Sequence, residues 1–151
     1  MTMNKKQEIQ QALTAAMKAR DEDTKRTLRL VVSAIKMAEV ELGGELDDNR
    51  VLGILQKEVK TREDIIAESE KANRPDLVEA AKKEMAILNI FLPQQMDAEA
   101  LKSLVQEAIA ETGATGMRDM GEVMKVLMPK LQGRASGSDA SKAVRELLQN
   151  A

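Results

Sequence analysis

Carboxylates are the side chains this chain supplies most freely for chemistry: Glu58, Glu63, Asp64, Glu68, Glu70, Glu79 and Glu84 crowd its middle. Paired acids catalyse proton transfer when a pocket drives their pKa values apart. Here each acid lies among lysines and arginines in a helical pattern, which reads as a solvated face laced with i,i+4 ion pairs. Serines are the other candidates: Ser33, Ser69, Ser103, Ser136, Ser138 and Ser141. A serine nucleophile needs a base, and the chain contains neither histidine nor cysteine. Ser–His and Cys–His pairs, disulfides and zinc sites built on His or Cys are therefore excluded. Ser141 and Lys142 are neighbours in sequence, and neighbours on a helix do not face each other. No glycine-rich phosphate or dinucleotide loop is present, and no spaced acidic loop suggests Mg²⁺ or Ca²⁺. The sequence thus predicts no catalytic residue, no metal ligand and no cofactor.

Binding is better served. Lys125, Lys130, Arg134, Lys142 and Arg145 are accompanied by one acid, Asp139, while the acids Asp97, Glu99, Glu107, Glu111, Asp119 and Glu122 lie earlier. A near-neutral segment is thus polarised. Gly133 and Gly137 allow close backbone approach, and the free N–H groups that start a last helix can receive a phosphate. Such an arrangement tracks an RNA backbone. Phe91 is the single aromatic residue, so base stacking is nearly ruled out and recognition must use backbone and shape. The whole chain carries a net charge of −2, so any such binding is local. Met117, Met120, Met124 and Met128 recur at helical spacing, which suits core packing or an adaptable binding groove.

Helices must position these residues. Leu, Ala and Met outweigh the aromatic and β-branched types that favour strands. The pattern predicts a first helix from Asn4 to Ala19, with Ile9, Leu13 and Met17 inward. A second runs from Lys25, capped by Thr24, to Leu42, where Gly43-Gly44 stops it. Asp47 or Asp48 caps a third reaching Ala72, whose charged second half is expected to project past its neighbours. A fourth spans Pro75 to Phe91, with Leu77, Ala81, Met85, Leu88 and Leu92 on one stripe. Pro93 blocks continuation and marks a boundary. Asp97 caps a fifth helix, Ala98 to Thr112. The sixth runs from Arg118 to Leu131, with Pro129 expected to kink or end it and Gly121 expected to meet a neighbour closely. Ser138 caps a seventh ending near Leu148. The expected fold is all-α: a four-helix bundle-like part over residues 1–92, then a small three-helix domain over residues 97–151. Polar residues from Met1 to Gln11, the lack of cysteine and the lack of a membrane-length apolar run lead to the expectation of a cytoplasmic protein without a membrane partner.

Met120-Gly121-Glu122-Val123-Met124-Lys125-Val126-Leu127-Met128-Pro129-Lys130-Leu131-Gln132-Gly133-Arg134-Ala135 resembles the signature of the YqeY-like proteins. Thr27-Leu28-Arg29, Ser33-Ala34-Ile35-Lys36, Lys57-Glu58-Val59-Lys60-Thr61-Arg62 and Phe91-Leu92-Pro93-Gln94-Gln95 extend the resemblance over essentially the whole chain. It implies a helical bundle followed by a domain similar to the tail of the B subunit of aspartyl/glutamyl-tRNA amidotransferase, which contacts tRNA. It also implies a link to carbon–nitrogen ligase activity with glutamine as amido donor, and tRNA and amidotransferase or aminoacyl-tRNA synthetase components as partners. It supplies no active site. Gly137-Ser138-Asp139-Ala140 departs from the Lys-Leu-Val-Asn type of segment at that place in amidotransferase tails, which weakens the RNA contact expected there. The leading expectation is a non-catalytic tRNA-interacting protein that uses Lys125, Lys130, Gly133, Arg134, Gly137, Lys142 and Arg145. The alternatives are a protein–protein adaptor, using the charged half of the third helix or the Met stripe, and an amidotransferase-like ligase.

Overall fold

The computed structural model describes residues 3–150, and seven α-helices and one 3-10 turn account for the regular structure among them. The chain divides into two compact units, residues 1–92 and 93–151.

The first unit contains α1 (Lys5–Ala19), α2 (Glu22–Leu42), α3 (Asp48–Lys71) and α4 (Pro75–Asn89). Side-chain caps set the starts of α1, α2 and α3, because the first N–H groups of a helix have no partner within it, whereas α4 has no side-chain cap and opens on Pro75. Asn4 and Gln7 form a reciprocal capping box at α1. Both acids before α3 are used: Asp47 accepts the Arg50 N–H at 2.9 Å, and Asp48 accepts the Lys5 N–H at the head of α1 at 3.0 Å. At α2 the cap is Asp21 rather than Thr24, so the helix begins three residues earlier than predicted. Asp21 receives both the N–H and the hydroxyl of Thr24, and these bonds hold its carboxyl below the usual carboxylate range. Gly43, at φ +80°, closes α2 in the left-handed conformation that glycine adopts at no steric cost.

Ile9, Leu28, Val31, Ile35, Val51, Leu55, Leu88 and Phe91 form the centre of this unit. The inward stripes differ from the expected ones at their edges. Met17 and Leu42 are exposed, and Val78 rather than Leu77 faces inward on α4. That helix also ends at Asn89, which lets Phe91 turn into the core from outside it. The charged half of α3 does not project free, because α3 makes its most extensive contact with α4. Arg62, 5% exposed, is ion-paired to Glu58 on its own helix and to Glu84 of α4, the latter at 3.1 Å. Burying a guanidinium is tolerable only with such partners, since an unpaired charge in the interior is strongly unfavourable.

The second unit contains α5 (Ala98–Thr112), a 3-10 turn (Met117–Asp119), α6 (Met120–Leu131) and α7 (Gly137–Gln149). Asp97 caps α5 by accepting the Ala100 N–H at 2.8 Å. Val105, Ala108, Val123, Leu127, Leu131, Ala140, Val144 and Leu148 make its core. The methionine stripe is split: Met120 and Met124 pack on that core, while Met117 and Met128 are exposed. Pro129 lies inside α6, which continues two residues further and stops at Leu131. No helix among the described residues is long and apolar enough to cross a membrane.

Candidate nucleic-acid interface

Each helix of the second unit turns one face to a small aliphatic core, and its opposite face must carry the polar residues. On α7, Ala140, Val144 and Leu148 point inward. Lys142 and Arg145 fall on the other side, three residues apart and therefore adjacent. On α6, Val123 and Leu127 point inward and Lys125 points out. All three cations are exposed, and among the described residues none of them makes an ion pair. With Arg134, which is also exposed and bonds only a neutral backbone carbonyl, they are the cations of the predicted set that remain available to an outside anion.

Lys130 and Arg134 are placed differently. The Lys130 ammonium bonds Glu111 at 2.8 Å and Glu107 at 3.2 Å. Those two acids stand four residues apart on α5 and form a clamp. The bond to Glu111, then that to Glu107, pushes the Lys130 pKa above its ordinary value. Lys130 thus joins α6 to α5 and has little charge left for a ligand. Arg134 sits at the α6–α7 corner, where Gln132 (φ +51°) and Gly133 (φ +74°) are both left-handed. Its Nε donates to the Gln94 carbonyl at 3.0 Å, and its own carbonyl accepts the Met96 N–H at 2.7 Å. Gln95 donates to the Gly133 carbonyl at 3.0 Å. Residues 94–96, which the sequence marks only as a boundary, therefore stitch the corner in place.

The start of α7 also differs from expectation. Ser136, not Ser138, is the cap, and its hydroxyl accepts the Asp139 N–H at 3.0 Å. One of the donors a phosphate could have used is thus taken. The Asp139 carboxylate in the first turn already meets the positive end of the helix dipole. Gly137 occupies the first helical position. A Cβ there would touch the Met128 Cε at 3.6 Å, an ordinary contact. Gly121 faces open space with nothing within 4 Å of a Cβ, so the close neighbour expected of it is not found.

One support was missed in the sequence. Asp119 accepts the Thr115 N–H at 3.0 Å, which with a further bond from the Gly116 backbone holds its carboxyl below the usual range. The α5–α6 loop is thereby folded back on the 3-10 turn. An acid three residues after a Gly-Ala-Thr-Gly run is the signal that could have revealed it. Among the described residues no three acids gather as metal ligands.

A family model described as Yqey-like protein matches residues 6–148. An uncharacterized protein of Schizosaccharomyces pombe is 34% identical over 86 residues, covering 57% of this chain and 70% of that protein. Altered inheritance of mitochondria protein 41, mitochondrial, of Pyrenophora tritici-repentis is 28% identical over 144 residues, covering 93% of this chain and 78% of that protein. Its namesake in Lachancea thermotolerans is 36% identical over 87 residues, covering 57% of this chain and 46% of that protein. The mitochondrial names overturn the expectation of a cytoplasmic location. That expectation rested on missing cysteine and missing apolar segments, and these features do not separate one reducing interior from another.

Proposed function

The chain belongs to the Yqey-like protein family, and from that premise we propose that it associates with tRNA and performs no chemistry of its own. It acts as an accessory to glutamine-dependent amidation of misacylated tRNA, the role that the resemblance to amidotransferase tails implies. The observation that supports this reading best is the trio Lys125, Lys142 and Arg145. These cations face solvent from α6 and α7 and make no ion pair among the described residues. Lys130 and Arg134 fix α6 and the α6–α7 corner, on whose helices these cations stand. Gly133 supplies the left-handed turn between the two helices, and Gly137 keeps the first turn of α7 slim.

Phosphate contacts release counter-ions, so affinity falls by about 0.9 log unit per log unit of salt for each phosphate neutralised. Three contacts predict a loss of about forty-fold between about 50 and about 200 mM salt. The test is a titration of the purified chain with bulk tRNA at those two salt concentrations, beside Lys142→Glu, Arg145→Glu. Binding that weakens with salt and vanishes in the double variant supports the reading. No binding at the lower salt sinks tRNA association by the isolated chain and favours the protein–protein adaptor. Glutamine turnover by the pure chain would instead support a ligase.

A further inference from the structure

The first unit leaves an apolar stripe uncovered on α2. Leu28, Val31 and Ile35 face the core, whereas Leu30, Met37 and Val40 face solvent, with Met37 67% and Val40 82% exposed. Single exposed apolar residues are ordinary, but aligned ones ask for a partner. Positions 30, 33, 37 and 40 are separated by three, four and three residues. That is the spacing of the contacting positions in a coiled coil. Ser33, small and exposed, completes the set. Lys36 and Glu41 flank the stripe on opposite sides, and among the described residues neither makes an ion pair.

We propose that α2 is a self-association surface, on which a second copy of this chain packs its own α2 in parallel about a two-fold axis. Charge decides both the partner and the direction. With Leu30 and Met37 in the first contacting position and Ser33 and Val40 in the fourth, Lys36 immediately precedes a contact and Glu41 immediately follows one. In a parallel pair such residues meet across the seam when they are five apart, which 36 and 41 are. Each Lys36 then faces the partner's Glu41, and symmetry supplies the reciprocal pair. Antiparallel pairing sets the Lys36 flank of one helix against the Lys36 flank of the other, where charges repel. The stripe is about 15 Å long. Its area falls short of the roughly 800 Å² per partner of a stable interface, so the dimer is weak and concentration-dependent.

Sedimentation equilibrium of the full chain from about 10 to about 500 µM tests this, a range that brackets a dissociation constant of about 100 µM. The mass should climb toward that of a dimer, and Met37→Glu, a change at an exposed site, should keep it at that of a monomer with unaltered circular dichroism. Lys36→Glu and Glu41→Lys should each weaken association several-fold, and the two together should restore it. A monomer at every concentration, a dimer indifferent to Met37→Glu, or a double charge swap that fails to restore association would each overturn the proposal.

Discussion

The buried arginine of the first unit and the exposed cations at the end of the second show two opposite fates of a positive charge, although exposed cations such as Lys36 occur in the first unit as well. In the first, Arg62 is buried between Glu58 and Glu84, and Thr27 and Ser69 are buried beside an Ile/Leu/Phe interior. In the second, the buried set is Val, Ala and Leu, and Lys125, Lys142 and Arg145 all lie outside without ion-pair partners among the described residues. Lys130 stands between these extremes, half-buried and held by two acids. An arginine or lysine therefore has no role by type. Its role is set by whether carboxylates are brought to it, because pairing spends the charge and exposure leaves it for a ligand.

The comparison breaks hardest at Arg62. Replacing Arg62 with Met leaves two partly buried carboxylates facing each other and should cost about 3 kcal/mol of stability. Amide hydrogen exchange should show the loss concentrated in α3 and α4. Lys142→Glu with Arg145→Glu, by contrast, should change stability by no more than about 0.5 kcal/mol, as exposed substitutions usually do. A large loss there would show that these cations are structural after all. Capping gives the next effect: Asp97→Ala should cost about 1 kcal/mol in a thermal or denaturant melt, since the Ala100 N–H loses its acceptor. Ser136→Ala should cost a similar ~1 kcal/mol, and Ser138→Ala much less, because Ser138 caps nothing.

The smallest effect is a pH dependence. The Lys130 pKa is raised by Glu111 and Glu107, so its contribution to stability is fully present below the ordinary value of 10.5. It is lost as the pH rises through the elevated folded value. Lys130→Gln should therefore be less stable than the natural chain at neutral pH, with the gap closing in alkali. A gap that persists unchanged would mean that Lys130 contributes by packing and not by charge.

Some of this was written locally. The period of apolar residues shows helices throughout, and Asp97, Asn4 and Gly43 mark ends that depend on only a few neighbouring backbone groups. Where two capping residues stand close together, the sequence cannot choose. Asp21 or Thr24, and Ser136 or Ser138, are decided by which residue the chain leaves extended as it enters the helix. Leu77 and Val78 differ by one position, and the placement of α3 decides which turns inward.

The rest depended on contacts between residues far apart in sequence. Nothing near Arg62 announces Glu84, twenty-two residues on, and nothing near Lys130 announces Glu107 and Glu111, on another helix. Helix type and many of its ends are local properties, governed by propensity, period and a handful of backbone bonds. The fate of each charge is not. It depends on which helix packs beside it, and so the tertiary structure alone divided these cations into those that hold the protein together and those left free to meet something else.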